Sequence, residues 1–180
     1  EKQIAADCFG HSEELICQNL GVPEKAQEFK DNYFGAIADL FGNAQLFPES
    51  LPLLDFCQKK GLVLAVITFA TDFYIEKMLK QLNLEKYFPV VISRNDVVRA
   101  KPDPEAVLLA CKKLGINPEE TVVIGDSPSD IVMGQAAGTK TILFAPPKYG
   151  SFYDLEKIKK SNPDRIVENL GEIEKVIQEL

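Results

Sequence analysis

Residues 121–131 read TVVIGDSPSDI and are the stretch that decides the fold class. A short apolar run rich in β-branched residues leads directly into two carboxylates, Asp126 and Asp130, four residues apart. In open α/β sheets, ligands bind beyond the carboxyl ends of the strands. Carboxylate oxygens suit Mg²⁺, which takes one or two carboxylates together with waters and a phosphate oxygen. The stretch therefore predicts a strand of an α/β sheet that ends at a magnesium site formed by Asp126 and Asp130.

The same residues also have a purely structural interpretation. Ser127 can cap a helix that Pro128 opens, and Asp130 can reach back to the cap residue. This capping box accounts for Ser127, Pro128 and Asp130. It gives no reason for Asp126 to stand at the mouth of an apolar strand, so the sequence leaves both interpretations open.

Outward from this stretch, the chain has two kinds of pattern. Residues 1–46 carry helical patterns only, whereas from residue 50 onward short β-branched runs alternate with helical patterns. That alternation is typical of repeated βα units and a parallel sheet covered on both faces. We therefore expect a small helical part at 1–46 and an α/β core at 47–180. The predicted strands are residues 62–67, 90–92, 121–124, 141–144 and 165–167, and the predicted helix faces are Ile75, Met78, Leu79 and Leu82, and Val107, Ala110, Cys111 and Leu114.

The composition favours a globular protein that acts on small molecules. Apolar residues make up 46% of the chain and charged residues 26%, and no apolar run is long enough to span a membrane. The net charge of −7 and the lack of a Lys and Arg cluster argue against nucleic-acid binding. Four scattered cysteines without a CxxC pair indicate reduced thiols of a cytoplasmic protein. With His11 as the single histidine, a multi-histidine zinc site is not expected.

Two more polar residues lie at predicted strand ends. Thr68 follows residues 62–67 directly, where its hydroxyl and the next backbone amides could hold a phosphate or only satisfy local backbone groups. Lys101 stands in a proline-containing loop before a helix that Asp103 and Pro104 are predicted to cap and open. Its ammonium group could neutralise phosphate oxygens or be solvated at the surface.

Taken together, three segments resemble the second, third and fourth motifs of the haloacid dehalogenase superfamily, in the same order. They are Thr68 after an apolar strand, Lys101-Pro102 in a loop, and Gly125-Asp126-Ser-x-x-Asp130. Residues 10–14 (GHSEE) and 20–23 (LGVP) look like the later part of the small helical cap of phosphoglycolate phosphatase-like members. The resemblance implies a parallel, Rossmann-like core sheet flanked by helices, with a partial helical cap at 1–46.

The resemblance also implies roles for individual residues. Thr68 would bind the transferring phosphoryl group, Lys101 would steady phosphate and nucleophile, Asp126 would coordinate Mg²⁺, and Asp130 would complete or support the metal site. In this family an aspartate attacks phosphorus, and water releases the resulting aspartyl-phosphate. The implied activity is a magnesium-dependent phosphatase for a small phosphorylated metabolite such as phosphoglycolate, without a nucleic-acid or membrane partner. The oligomeric state is left open.

The chain departs from the family at the first motif, because no Asp-x-Asp-Gly-Thr segment is present. In the family fold this motif follows a central strand between the strand before Thr68 and the strand before Asp126, so its loss would leave a gap in the sheet. One explanation is that residues 2–10 are a degenerate first motif, with Asp7 as the nucleophile and Phe9 in place of the second aspartate. The explanation we favour is that the nucleophile segment lies upstream of the printed sequence, which would leave this chain alone inactive.

Two other functions remain as alternatives. A non-catalytic protein of this fold could keep the phosphate site for binding or for interaction with a partner after losing its nucleophile. A dehalogenase would fit Asp7-x-Phe9, because family dehalogenases lack the second acidic residue. Dehalogenases do not need a magnesium site, however, and this chain retains Asp126 and Asp130, so we rank that alternative last.

Overall fold

The strands of the core are short and parallel. The computed structural model describes residues 13–29, 31–32, 44–151 and 155–179. Within these residues, one sheet pairs β1 (Ala65–Ile67) with β2 (Val90–Ile92). A second sheet has the order β3 (Val122–Gly125), β4 (Lys140–Phe144) and β5 (Arg165–Val167). All the pairings are parallel, with Ala65 opposite Val90 and Ile124 opposite Ile142. This confirms the predicted α/β fold with parallel sheets.

Helices alternate with these strands. In the order of the chain they are α1 (Glu13–Asn19), α2 (Ser50–Lys59), α3 (Asp72–Gln81), α4 (Glu105–Leu114), α5 (Pro128–Ala137), α6 (Leu155–Lys159) and α7 (Ile173–Glu179). Short 3₁₀ helices lie at Pro23–Lys25, Glu85–Tyr87, Arg94–Asp96, Pro118–Glu120, Pro147–Ser151 and Leu170–Glu172.

The first strand is shorter than predicted. The apolar run at residues 62–67 forms β1 only over Ala65–Ile67. The partner strand β2 is three residues long, so residues 62–64 have no ladder partner on that side. The apolar run predicted where the strand lies, but ladder pairing sets its length.

Local signals define the ends of the helix that follows β3. Ser127 caps α5 in a capping box with Asp130, Pro128 occupies the first turn, and Gly138 ends the helix at φ 81°. The predicted capping box is therefore confirmed. The prediction for α4 was wrong by one residue, because Pro104 takes the cap position and α4 begins at Glu105. Asp103 still contributes, since its carboxylate accepts a hydrogen bond from the Glu105 amide at 3.0 Å.

The main core lies where α4 and α5 pack against each other and against the strands. Helix α4 contacts β1 and β2, and α5 contacts β3 and β4. Of the predicted α4 face, Val107, Ala110 and Cys111 are buried and Leu114 is half-buried. The three buried side chains join Ile92 and Met133 in one apolar cluster, so the two helices pack against strands of both sheets.

A gap separates the two sheets. Among the described residues β1 and β3 pair with β2 and β4 but not with each other. A cavity of about 500 Å³ is lined by residues of both strands, including Ala65, Ile67, Val122 and Val123, and by the mainly apolar helices α2 and α4. We call this cavity the inter-sheet slot. It lies where the resemblance led us to expect a gap.

The chain divides into two compact units. The first comprises Glu1–Gln45 with Lys148–Asp154, and the second comprises Leu46–Pro147 with Leu155–Leu180. The identification of residues 1–46 as a partial cap stays a prediction. Cys17, Cys57 and Cys111 are buried free thiols, as expected for reduced cysteines. Within the described ranges, no helix is long and apolar enough to cross a membrane.

Candidate active site

The side chain of Lys101 lies at the centre of the candidate site. Its Nζ donates to the carbonyl oxygen of Ile67 at 3.2 Å and to Asp130 Oδ1 at 2.7 Å. The Lys101 and Asp130 side chains are only 13% and 11% exposed. The ammonium group also lies 5.7 Å from the centre of the Phe69 ring. Lys101 therefore joins the carboxyl end of β1 to the first turn of α5, and both Lys101 and Asp130 line the inter-sheet slot.

Thr68 is held at the end of β1 by backbone contacts. Its amide donates to the carbonyl oxygen of Ile92 at 2.9 Å. Its Oγ1 accepts a hydrogen bond from the Ala70 amide at 3.1 Å. Because the oxygen is the acceptor in that bond, the hydroxyl hydrogen can be donated to an anion. This geometry suits a phosphate-binding threonine.

The Asp130 carboxylate bonds on both of its oxygens. Oδ2 accepts from the Ser127 amide at 3.2 Å and from Ser127 Oγ at 2.7 Å, while Oδ1 accepts from Lys101. The residue is 8% exposed. With both oxygens engaged by protein donors, Asp130 is better placed to support the site than to bind a metal directly.

Asp126 follows β3 at the rim of the site. Although the residue is solvent-accessible, protein atoms around its carboxyl group desolvate it, and this burial raises its pKa. The negative charge of Asp130 raises the pKa further, and a backbone hydrogen bond and the charge of Lys101 oppose the rise. A desolvated carboxylate beside a second carboxylate is stabilised by a cation.

The close approach of β3 to α5 requires a glycine before Asp126. A Cβ atom at Gly125 would lie 2.2 Å from Asp130 Cβ, which is far inside van der Waals contact. Gly125 therefore allows Asp130 to reach Lys101.

The donors present are compatible with Mg²⁺. No group of three or more His, Cys, Asp and Glu side chains able to hold a metal occurs in the part of the chain that the structure describes. Mg²⁺ nevertheless needs only one or two protein carboxylates, because waters and phosphate oxygens complete its octahedron. Asp126, supported by Asp130, meets that requirement. The two carboxylates are too few for a site in which protein side chains supply every metal ligand.

The structure brings the four predicted site residues to one end of the sheets. Thr68 and Lys101 line the same small cleft, Lys101 bonds to Asp130, and Asp126 is electrostatically coupled to both. Asp7, Phe9 and His11 lie outside the described residues, so the proposed degenerate first motif stays a prediction.

Sequence reasoning missed the residues that hold the loops of this site. Glu105 accepts hydrogen bonds from the amides of Val98 and Arg99 at 3.0 and 2.9 Å, in the loop that leads to Lys101. Ser93 and Asp96 form a second capping box, which the S-x-x-D spacing could have indicated. The contact between Asp72 and Ser93 joins residues 21 apart and has no local signal.

Comparisons with known proteins identify the family of the chain. The family model described as haloacid dehalogenase-like hydrolase matches residues 1–144. The phosphoglycolate phosphatase of Escherichia coli K12 is 34% identical over 143 residues, covering 79% of this chain and 54% of that protein. A Clostridium perfringens protein named as a candidate pyrophosphatase, PpaX, is 32% identical over 180 residues, covering 94% of this chain and 82% of that protein. The chain thus spans about half the length of the phosphoglycolate phosphatases that it matches.

Solved structures share the same fold. A predicted phosphoglycolate phosphatase from Haemophilus somnus 129pt superposes with a TM-score of 0.83 at 20% identity, covering 97% of this chain and 81% of that one. A haloacid dehalogenase-like hydrolase candidate from Bacteroides fragilis gives a TM-score of 0.79 at 29% identity, covering 94% and 80%. Since the family model covers most of the sequence, the chain belongs to the haloacid dehalogenase-like hydrolase family.

Proposed function

We propose that this chain carries the phosphate and metal sites of a magnesium-dependent phosphatase that acts on a small phosphorylated metabolite, with phosphoglycolate as the leading candidate. The observation that carries the proposal is the enclosed ammonium group of Lys101, which bonds to Asp130 and to the residue preceding Thr68. A buried cation beside a strand-end hydroxyl forms a site for a phosphoryl dianion. The named phosphatase relatives support the substrate class.

Each residue has a separate task in this proposal. Lys101 neutralises the phosphoryl oxygens, and Thr68 donates its hydroxyl hydrogen to one of them. Asp126 would hold Mg²⁺, which when bound would supply charge neutralisation at phosphorus. Asp130 fixes the position of Lys101 through the 2.7 Å contact. In this arrangement the protein contributes position and charge.

The chemistry requires an aspartate nucleophile. Its carboxylate oxygen would bond to phosphorus while the bond from phosphorus to the leaving oxygen breaks, and the leaving oxygen would take up a proton. Water would then attack phosphorus and release inorganic phosphate together with the free carboxylate. Lys101 would offset the charge of the carboxylate and of the phosphoryl oxygens during both steps.

The inter-sheet slot is the place from which the nucleophile would act. The slot is bordered by β1 and β3, and its lining includes Lys101, which contacts the end of β1. A strand that occupied the slot would pair with both borders and end beside Lys101. Two sources remain: a segment upstream of the printed sequence, or residues 2–10 with Asp7 as nucleophile.

A second candidate is a non-catalytic phosphate-binding or interaction protein of the same fold. The observation that favours it is the gap between β1 and β3 in the described residues. Such a protein would bind phosphate in Mg²⁺ without turnover.

The deciding experiment combines the intact mass of the purified protein with phosphate release in Mg²⁺, using phosphoglycolate and pyrophosphate as substrates. Lys101→Met and Asp126→Asn should abolish release. Lys112→Met, which removes an exposed lysine on α4, is the matched control and should leave release unchanged.

The outcomes separate the alternatives. Activity at 20.0 kDa that is lost in Asp7→Asn would assign the nucleophile to Asp7, whereas activity only in a longer chain would place it upstream. If the 20.0 kDa chain and the longer chain both bind phosphate without turnover, the non-catalytic protein is favoured. If neither chain binds or releases phosphate, the proposed function is wrong.

A further inference from the structure

The loop that carries Thr68 is tied to the turn that follows β2. We define the phosphate loop as residues 68–72 and the β2 turn as residues 92–96. Two backbone contacts join them: the Thr68 amide donates to Ile92 at 2.9 Å, and the Arg94 amide donates to Ala70 at 3.1 Å. The remaining contacts come from one side chain at the far end of the loop, that of Asp72.

Both carboxylate oxygens of Asp72 accept hydrogen bonds from the β2 turn. Ser93 Oγ donates to Oδ1, and Asn95 Nδ2 donates to Oδ2 at 3.1 Å. The phosphate loop is therefore bonded to the turn at its start, its middle and its end. Without Asp72, the last of these attachments would be lost.

The β2 turn is itself a firm anchor. Ser93 is 2% exposed, its amide donates to Asp96 Oδ2 at 2.8 Å, and its Oγ accepts from the Asn95 amide at 3.0 Å. These bonds form the capping box of the turn and do not depend on Asp72. Because the β2 turn is held by its own hydrogen bonds, the bonds from Asp72 to this turn restrict the movement of the phosphate loop.

The negative charge of Asp72 is unfavourable for phosphate binding in this loop. A carboxylate in a loop that binds an anion repels that anion, so electrostatics alone would disfavour an acidic residue here. The first turn of α3 also favours a negative charge, but that interaction does not require contact with Ser93 or Asn95.

We propose that Asp72 is a positioning residue, which holds the phosphate loop in the conformation that presents the Thr68 hydroxyl to phosphate. The inference rests on the proposed function. Asp72 itself contacts neither the phosphate nor the metal in the proposed site. Substituting it should nevertheless change the phosphate affinity in a direction that can be predicted. Loss of its charge alone should tighten phosphate binding, whereas loss of its hydrogen bonds should weaken binding.

The test measures the affinity for inorganic phosphate in Mg²⁺ by calorimetry in Asp72→Ala and Asp72→Asn. Glu76→Ala is the matched control, because it removes an exposed carboxylate one turn further along α3. Amide hydrogen exchange at Ala70 and Arg94 reports on the loop directly. Asp72→Ala removes both hydrogen bonds together with the repelling charge. We expect it to weaken affinity about tenfold and to speed exchange at both amides.

The other variants have equally defined outcomes. Asp72→Asn keeps an acceptor for Ser93 and should recover most of the affinity, and Glu76→Ala should leave affinity unchanged. If Asp72→Ala does not fold, Asn95→Ala removes the contact with Asp72 Oδ2 from the other side, keeps the bond from the Asn95 amide to Ser93 Oγ, and should also weaken affinity. Unchanged or tighter binding in Asp72→Ala, or an equal loss in Glu76→Ala, would overturn the proposal. Failure of the unaltered protein to bind phosphate would instead count against the proposed function, and exchange at Ala70 and Arg94 would then decide alone whether Asp72 holds the loop.

Discussion

Lys101 and Asp130 form an ion pair of 2.7 Å whose side chains are almost enclosed. The same Asp130 carboxylate closes the capping box of α5 with Ser127. Lys101 is also bonded to the end of β1. One pair therefore links the two sheets at the end where the candidate site lies, so stability and phosphate binding depend on the same contact.

Asp130→Ala should lower the free energy of unfolding by about 3 kcal/mol. The substitution leaves the Lys101 charge enclosed without its partner and removes a helix cap, and both changes are costly. Urea denaturation measures the loss. The matched control is Glu156→Ala, which breaks an exposed i,i+3 pair with Lys159 of 3.4 Å and should cost less than about 0.5 kcal/mol. If the two variants lose the same free energy of unfolding, the enclosed ion pair contributes no more to stability than the exposed one.

Gly125→Ala should disrupt the site without removing a polar group. The added methyl would lie 2.2 Å from Asp130 Cβ, so α5 or the Asp130 side chain must move and the contact with Lys101 should lengthen. We expect a loss of about 2 kcal/mol, typical of overpacking, together with weaker phosphate binding. Gly138→Ala is the comparison: its φ of 81° adds strain but its Cβ meets nothing within 4 Å, so stability should fall by about 1 kcal/mol while phosphate affinity is kept. Unchanged phosphate binding in Gly125→Ala would contradict the prediction.

The sequence predicts some parts of this molecule better than others, for physical reasons. Short β-branched apolar runs located each strand of the described residues, and the spacing from Ser127 to Asp130 predicted the capping box, because these signals are local. The contact of Lys101 with Asp130 joins residues 29 apart, and only the family resemblance brought them together. The contact of Asp72 with Ser93, on which its proposed role rests, had no signal in the sequence, because it depends on how the phosphate loop and the β2 turn meet in three dimensions.

Asp126→Asn should remove the stabilisation by Mg²⁺. A ligand that binds only the folded state stabilises it by about 1.4 kcal/mol at tenfold its dissociation constant, so Mg²⁺ should raise the melting temperature of the unaltered protein. The Asn variant lacks the carboxylate and should show no rise. Without Mg²⁺ at pH 7 the variant should be at least as stable as the unaltered protein, because the raised pKa of Asp126 means that its ionised form is disfavoured on folding. Glu119→Gln, an exposed acid before β3, is the control, and equal Mg²⁺ shifts in all three proteins would exclude Asp126 as the ligand.

Acid should selectively weaken the contact between β4 and the segment before β5. Asp164 accepts hydrogen bonds from the Thr141 amide and Thr141 Oγ1, both at 2.8 Å. The Thr141 hydroxyl is the largest cause of the lowered pKa of Asp164, followed among the lowering causes by the Thr141 amide and the charge of Lys140. A carboxylate with a lowered folded-state pKa adds stability above its unfolded pKa of about 3.9, and that stability is lost as the pH falls through the folded-state pKa. Asp164→Asn should therefore be less stable than the unaltered protein at pH 7, and the difference should shrink below about pH 4. Thermal unfolding between neutral and acidic pH measures it, with Glu168→Gln as the control because that side chain is exposed. A difference that stays constant over this range would show that the charge of Asp164 does not contribute.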